Sequence, residues 1–351
     1  MQTNEVHEPQ TKKIGIPKRQ AVNLAQGDLV TMEPLKQGEA LPLVVQPKSA
    51  NVNLADWARE NRDLVVNKLY QHGGVLFRGF GLKTPLEFEK VASALAGDLF
   101  GDYGDLPRAC AASEKIYQST PYPPDKYILF HNESSHLPKW PMKQFFMCLL
   151  KSKEGGETPI LDCRKVAQKM DPKLLEVFRA KGLMYVRNFI EGVDVSWQQF
   201  FHTDDRSKVE ASCRGEGMDC EWWGPNNLRI RQRGPAVVKH PRTGETIFFN
   251  QVQLHHTACL DPETRSSLRA LFKEDEMPRS VYFGDGTPIS DEIMDQLNKL
   301  FWELAVVAPW EEGDMIMVDN MLTSHARNPY VGPRKIIVAM AELINATDLR
   351  N

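Results

Sequence analysis

Short apolar segments follow one another along the chain beyond residue 120, and they limit the possible folds more than any other feature of the sequence. Gly, Pro and Asn separate them, and none approaches the length of a membrane-spanning helix. The segments are KYILFH, QFFMCLL, TPILDC, LMYVRNF, LRIRQRG, AVVKH, TIFFNQV, DMIMVDN and KIIVAMAEL. Many short strands with frequent turns are typical of a β-sandwich, barrel or jelly roll. Helical patterns interrupt the strands at about 170–182, 261–274 and 290–304.

Two amphipathic helices with a short strand between them are predicted before this region. Apolar residues at helical spacing run from Leu54 to Leu69, and Gly73 follows as a stop signal. The next segment, VLFRGF, predicts a buried strand. TPLEFEKVASALAG predicts the second helix, because Thr84 can cap its first turn and Glu87 follows three residues later.

The composition along the chain predicts a polar arm before the folded region. Residues 1–40 are rich in Lys, Gln and Pro, and we expect them to contribute little to the core. The remainder, residues 41–351, is long enough for one large domain or two of ordinary size. The polar segment 203–227 is long for a loop in a compact domain, which is typical of a lid or a disordered insertion. We place a lid around residues 190–228.

Charge and cysteine usage narrow the class of partner. A net charge of −3 and a pI near 6.3 argue against nucleic acid and against a membrane surface, so a small molecule is the expected partner. The six cysteines form no CxxC pair, and the polar first 20 residues lack the apolar core of a signal peptide. We therefore expect reduced thiols and a cytoplasmic protein. The sequence leaves the oligomeric state open.

The segment HNESSH, at residues 131–136, concentrates metal-binding side chains directly behind an apolar run. If the chain is extended here, His131 and Glu133 point to one face and can share an ion, whereas His136 cannot lie on the strand face of His131. Two histidines and one carboxylate with open positions are typical of non-haem Fe(II) oxygenases. The alternative is a surface turn in which Asn132 and Ser134 bond the backbone.

A third ligand has to come from elsewhere in the chain. His325 is the best candidate, because it follows the apolar strand Met315–Val318 and precedes a Gly-Pro turn into another strand. His255 and His256 are the competing source, although two consecutive imidazoles on a strand point in opposite directions.

Several longer phrases together resemble one enzyme family. They are YGDLPR, IYQSTPYPP, HNESSHLPKWP, KEGGETPILDCRKV, HPRTGETIFFN and DNMLTSHARNPYVGPRKIIVAM, in this order from residue 103 to residue 340. This run is similar to the taurine dioxygenase and clavaminate synthase superfamily of Fe(II)/2-oxoglutarate oxygenases. The resemblance is closest to the amino-acid hydroxylases typified by the syringomycin aspartyl hydroxylase. It implies that residues 41–351 form a single jelly-roll domain, a double-stranded β-helix of mainly β structure with helical insertions.

The resemblance implies roles for five residues. His131, Glu133 and His325 match the facial metal triad of the family, while His136 falls outside it. Thr158 matches the threonine, and Arg334 the arginine, that bind the distal carboxylate of 2-oxoglutarate. A planar guanidinium suits this task, because it can offer a carboxylate two parallel charge-assisted hydrogen bonds.

Two positions separate this chain from particular branches of the family. Taurine dioxygenase has a second arginine, which holds the sulfonate, four residues after the one that Arg334 matches. Val338 stands there in this chain, so a sulfonate bound in that way is not expected. The halogenases have a small residue where this chain has Glu133, so we expect oxygenation and no halogenation.

Four further residues are substrate-binding candidates. Tyr103 and Arg108 lie in YGDLPR, a segment that lines the substrate side in relatives, although Arg108 could equally form a loop ion pair. Arg327 is either a group that orients the metal ligands or a surface arginine beside a turn. Trp222 could form an aromatic wall over the substrate or pack where the insertion docks.

The resemblance implies oxidation of an unactivated C–H bond of a small amino-acid-like substrate, with O2 consumed and succinate and CO2 as co-products. We expect a role in natural product biosynthesis. The substrate can be free or tethered to a carrier protein, and the outcome hydroxylation, desaturation, epoxidation or cyclisation. Two alternatives are a Zn(II) hydrolase with a metal-bound water and a jelly-roll binding protein without turnover. Neither gives Thr158 and Arg334 a role.

Overall fold

The computed structural model describes residues 29–100, 113–119, 121–193 and 195–349. The candidate residues Tyr103 and Arg108 lie outside these ranges, as does Cys110. The described strands are β1 (Val30–Pro34), β2 (Leu43–Pro47), β3 (Gly74–Phe77), β4 (Tyr117–Gln118), β5 (Ile128–His131), β6 (Lys139–Leu150), β7 (Glu154–Gly155), β8 (Ile160–Asp162), β9 (Leu183–Phe189), β10 (Asp219–Trp223), β11 (Asn227–Gly234), β12 (Val237–Lys239), β13 (Thr246–Phe248), β14 (Arg279–Phe283), β15 (Met315–Asp319), β16 (Thr323–Arg327), β17 (Tyr330–Val331) and β18 (Lys335–Asn345).

Helices connect these strands and cover the sheets. They are α1 (Leu54–Glu60), α2 (Arg62–His72), α3 (Pro85–Ala96), α4 (Cys163–Lys169), α5 (Pro172–Lys181), α6 (Trp197–Phe201), α7 (Arg206–Gly215), α8 (Val252–His255), α9 (Pro262–Leu271) and α10 (Asp291–Leu304). Within the described ranges, no helix is both long and apolar enough to cross a membrane.

The largest sheet has seven strands in the order β1-β2-β3-β15-β6-β18-β4, and its two faces bury different clusters. Along β6, Phe145 and Met147 pack with the helices α1 to α3, whereas Phe146 and Cys148 point to the opposite face. This alternation follows from the two-residue period of a strand. The side chains of the second face meet Ile160 of β8, which belongs to the smaller sheet β5-β16-β8. The predicted jelly roll with flanking helices is confirmed, and its interior lies between these two sheets.

The N-terminal elements agree with the sequence in type and differ in detail. Thr84 and Glu87 form the predicted capping box at the start of α3. Gly73, in the left-handed conformation, ends α2 as expected. The single helix predicted between Leu54 and Gly73 is two helices, because the Asn61 side chain bonds the Trp57 carbonyl and ends α1.

The predicted boundary of the polar arm at residue 40 is wrong. Strand β1 pairs with β2 in the large sheet, and its Val30 is buried in the core. The packed part of the chain therefore begins no later than this strand. Strand β1 was not predicted from the sequence, because VTMEP is short, lies at the edge of the sheet and is mostly exposed.

The polar segment 203–227 is not an irregular loop or a disordered insertion. It contains α7 and β10, and β10 pairs with β11 in a four-stranded sheet ordered β10-β11-β9-β14. Trp197, Val209, Cys213 and Leu228 form a small core of their own. Cys213 and Cys220 are free thiols, as predicted. The disordered alternative is thus wrong, and a lid around residues 190–228 stays a prediction.

Candidate metal and co-substrate site

The three predicted metal ligands meet at one point of the smaller sheet. His325 lies in the middle of β16, opposite His131 at the end of β5, and their ring centroids are 4.2 Å apart. Ligand atoms of His131, Glu133 and His325 all lie within 4.8 Å of one another. Two imidazoles and one carboxylate at this spacing fit a first-row divalent metal such as Fe(II).

Glu133 reaches this point from a turn and not from an extended strand, which corrects one step of the sequence argument. Strand β5 ends at His131, and Ser134 adopts a positive φ of 55°. The buried Asn320 side chain holds the turn, since its amide oxygen accepts the Glu133 N–H (2.7 Å) and its amide nitrogen donates to the Glu133 carbonyl (2.9 Å). The residue that follows β15 thereby fixes the backbone of the candidate carboxylate ligand.

Hydrogen bonds orient the ligands for a metal. Nδ1 of His131 lies 2.8 Å from the Leu129 carbonyl, an acceptor, so Nδ1 carries the proton and Nε2 is left for the metal. Gln144 of β6 donates to Oε2 of Glu133 at 3.0 Å. Gln144 is fully buried on the inner face of the large sheet. The residues present therefore fit Fe(II), because donor types, spacing and supporting bonds agree.

The predicted co-substrate residues also lie together. Nη2 of Arg334 is 3.5 Å from Oγ1 of Thr158, and Nε of Arg334 donates to the Gly156 carbonyl at 2.8 Å. Gly156 has a φ of 74°, and a Cβ there would come within 3.0 Å of the Arg334 side chain. The Gly-Gly turn before Thr158 thus makes room for the guanidinium.

Arg334 has the electrostatic character of an anion-binding group. Burial is the main cause that lowers the pKa of Arg334 to about 10, and the nearby charge of Arg327 contributes to the same shift. No carboxylate of the described residues forms a salt bridge with Arg334 within 4.0 Å. A bound carboxylate would offset the cost of burying this charge.

Arg327 anchors a loop and is not placed to hold substrate through its terminal nitrogens. These nitrogens donate to the carbonyls of Tyr122, Pro123 and Lys126 at 2.5–3.1 Å. The guanidinium also lies 5.2 Å from the ring centroid of Tyr330. The interpretation of Arg327 as a surface arginine is wrong, because the residue is only 6% exposed. Arg327 is a buried structural arginine.

Trp222, the fourth substrate candidate, packs inside the insertion. Its ring centroid is 5.0 Å from that of Trp197, and its indole N–H donates to Glu210 at 2.7 Å. These contacts support the interpretation that Trp222 stabilises the docked insertion.

The competing histidines lie outside the triad. Nε2 of His256 bonds the Ile289 carbonyl at 2.9 Å, and its Nδ1 accepts the Ala258 N–H. Burial also lowers the pKa of His256, so a neutral structural role is favoured. His255 and His136 pack against each other and against Tyr185, with centroid distances of 5.2, 4.9 and 5.9 Å.

The sequence argument missed Asn320 and Gln144. A signal for Gln144 was present, because it is the polar first residue of the apolar run QFFMCLL and shares the face of Phe146 and Cys148. Asn320 follows Asp319 in DMIMVDN, where a turn role was the simpler interpretation.

Asn320→Ala is expected to lower the free energy of unfolding by at least about 3 kcal/mol and to weaken metal binding. The substitution leaves the Glu133 backbone and the Pro141 carbonyl without their buried partner, at about 1–3 kcal/mol for each unsatisfied group. Urea denaturation and metal titration measure both effects. Asn53→Ala, which removes one exposed cap of α1, is the control and should cost about 1 kcal/mol without changing metal affinity. Unchanged metal affinity in Asn320→Ala would contradict this role.

Comparisons with known proteins agree with this geometry. Residues 33–340 match the family model described as taurine catabolism dioxygenase, TauD/TfdA family. The dapdiamide synthesis protein DdaC of Enterobacter agglomerans is 34% identical over 274 residues, which are 78% of this chain and 83% of the relative. A clavaminate synthase-like protein of Arabidopsis thaliana is 26% identical over 324 residues, or 87% and 95% of the two chains.

A solved structure shows the same fold. PvcB, described as an Fe, alpha-ketoglutarate dependent oxygenase from an isonitrile synthetic pathway, superimposes with a TM-score of 0.54 at 14% identity, covering 92% of this chain and 96% of PvcB. PvcB comes from Pseudomonas aeruginosa. The family match, the 34% identical relative and the site geometry lead to one conclusion: the chain belongs to the TauD/TfdA family of dioxygenases, and it is an enzyme that uses Fe(II), 2-oxoglutarate and O2.

Proposed function

We propose that the protein oxidises an unactivated C–H bond of a small amino-acid-like molecule in a biosynthetic pathway. His131, Glu133 and His325 hold Fe(II), and Arg334 with Thr158 binds the distal carboxylate of 2-oxoglutarate. The observation that carries the proposal is the coexistence of a three-ligand cluster and a buried arginine–threonine pair in one fold interior. A hydrolase mechanism would give Arg334 and Thr158 no role.

The chain's own residues prepare the site in three ways. The Leu129 carbonyl fixes the His131 tautomer, Asn320 fixes the Glu133 backbone while Gln144 bonds its carboxylate, and Arg334 supplies a charge for a dianionic co-substrate. When bound, iron with 2-oxoglutarate and O2 would supply the oxidising chemistry, with succinate and CO2 as the co-products. Phe146, whose ring centroid is 5.0 Å from that of His325, keeps the second histidine against an apolar wall.

Two observations support a biosynthetic substrate. One relative is named as a dapdiamide synthesis protein, and the sequence resembles amino-acid hydroxylases. Val338 is buried at the position where taurine dioxygenase has its sulfonate-binding arginine, so this chain offers no guanidinium there. A small carboxylate or amino acid, free or tethered to a carrier protein, is the substrate class that we propose.

Succinate release during incubation with a library of small acids tests the proposal. The library contains free amino acids and carrier-tethered amino acids, each with Fe(II), 2-oxoglutarate and air. We expect one class to raise succinate release well above the uncoupled background and to gain one oxidation. Equal release with every compound, or activation by sulfonates alone, would contradict the proposed substrate class.

Wild-type protein is expected to incorporate no halogen even in high chloride. Glu133 supplies a carboxylate within 4.8 Å of both histidine ligands, so this coordination position is filled by the protein. Glu133→Gly opens the position but also removes the acceptor of the Gln144 bond, so weak or uncoupled turnover is expected. Mass spectrometry of products formed in chloride or bromide provides the measurement. A halogen isotope pattern in the wild-type product would show that Glu133 does not occupy the metal.

A further inference from the structure

The Thr158 hydroxyl is surrounded by hydrogen-bond donors. The indole Nε1–H of Trp310 donates to its Oγ1 at 3.2 Å, and Nη2 of Arg334 lies 3.5 Å from the same atom. Indole and guanidinium nitrogens are donors only, whereas a hydroxyl can accept two bonds and donate one. Both neighbours therefore use the oxygen lone pairs of Thr158, and neither can accept its proton.

Trp310 is held where it can act on Thr158. It lies in the connection between α10 and β15 and packs on the apolar cluster between the two sheets. Trp310 and Thr158 both line a small cavity of about 20 Å³, together with Ile160 and Ile316. The indole is thus part of the interior wall, on the same side as the co-substrate residues.

The direction of the Thr158 O–H follows from these contacts. Among the residues that the structure describes, none accepts a hydrogen bond from Oγ1 of Thr158. The proton is left for a ligand, and the anion that Arg334 attracts is an acceptor beside it. Without the indole donor, the hydroxyl could rotate and present a lone pair to that anion, which would repel it.

We propose that Trp310 is a positioning residue for the co-substrate, which acts through Thr158 by forcing its hydroxyl to donate to the distal carboxylate of 2-oxoglutarate. The inference rests on the proposed role of Thr158 and Arg334. It adds a residue that no motif of the sequence indicated, and it gives Thr158 a fixed polarity.

Calorimetric titration of the Mn(II)-loaded protein tests the proposal without turnover. The ligands are 2-oxoglutarate and 2-oxovalerate, which has the same five-carbon chain with a methyl group in place of the distal carboxylate. Trp310→Phe keeps the aromatic packing and removes the donor, and Trp310→His keeps a ring N–H. Trp197→Phe is the matched control, because it removes an indole N–H bonded to Asn226 in the insertion.

Trp310→Phe is expected to raise the Kd of 2-oxoglutarate about three- to ten-fold, the effect of one hydrogen bond of ordinary strength. The Kd of 2-oxovalerate should not change, and Trp197→Phe should bind both ligands as the wild type does. Trp310→His should retain most of the wild-type affinity. In a Thr158→Val background the Trp310→Phe effect should disappear, since the two residues act as one unit.

Three results would overturn the inference. They are wild-type affinity for 2-oxoglutarate in Trp310→Phe, an equal loss of affinity for 2-oxovalerate, and a full effect that persists beside Thr158→Val. The last two would show a packing role. A wild-type protein that binds Mn(II) but shows no preference for 2-oxoglutarate over 2-oxovalerate would instead refute the proposed co-substrate site itself.

Discussion

His325→Ala is expected to abolish both turnover and stoichiometric iron binding while the protein stays folded. His325 is the only one of the three clustered ligands that lies in the middle of a strand, where β5 and β8 hold it from both sides. With one imidazole lost, two protein ligands remain, and the facial arrangement that retains Fe(II) is broken. Anaerobic Fe(II) titration measures binding, succinate release measures turnover, and circular dichroism checks the fold.

His136→Ala is the matched control for this prediction. His136 belongs to the same HNESSH segment, yet it packs with His255 and Tyr185 and not with the ligand cluster. We expect the His136→Ala variant to bind one iron per chain. Loss of iron in His136→Ala together with full binding in His325→Ala would mean that the metal lies at the other histidine pair.

Arg334→Ala is expected to weaken 2-oxoglutarate binding by about 2–5 kcal/mol, since it removes the buried charge partner of the distal carboxylate. Thr158→Ala should cost less, about 1–3 kcal/mol, because it removes a single hydrogen bond from an uncharged donor. Arg334→Lys keeps the charge without the planar pair of donors and should fall between wild type and Arg334→Ala. The KM for 2-oxoglutarate and direct titration of the metal-loaded protein measure these effects.

The pH dependence of this interaction has a defined sign. Since the pKa of Arg334 lies at about 10 in the free protein, the guanidinium is charged at neutral pH and loses its proton as the pH rises through that value. Affinity for 2-oxoglutarate should therefore be constant around neutral pH and fall as the pH rises through about 10. If Arg334→Ala and Thr158→Ala both left the affinity for 2-oxoglutarate almost unchanged, its distal carboxylate would have to bind elsewhere.

The candidate metal ligands could be predicted from the sequence for two reasons. Histidine and glutamate are specific metal-binding side chains, and the candidates lie beside short strands with a recognisable apolar pattern. The short strands between turns predicted the sheets, and the resemblance identified His131, Glu133, His325, Thr158 and Arg334. The structure brings the first three into one cluster and the other two into contact. Their roles toward iron and 2-oxoglutarate stay predictions.

Features that depend on long-range packing escaped the sequence. Asn320 reaches the Glu133 backbone from 187 residues away, and Trp310 reaches Thr158 from 152 residues away. No local pattern encodes such contacts, because they arise only when the two sheets close on each other. The order of the insertion was not predicted for another reason. Helix α7 buries only Val209 and Cys213, and these two residues are too few to make an apolar pattern among its charged and polar neighbours.

Crystals grown without oxygen in Fe(II) and 2-oxoglutarate would test the central claim most directly, with anomalous diffraction at the iron edge. We expect one iron held by Nε2 of His131, the Glu133 carboxylate and His325, with the distal carboxylate of 2-oxoglutarate on Arg334 and Thr158. An iron bound by His136 or His255, or a 2-oxoglutarate whose distal carboxylate lies away from Arg334, would contradict it.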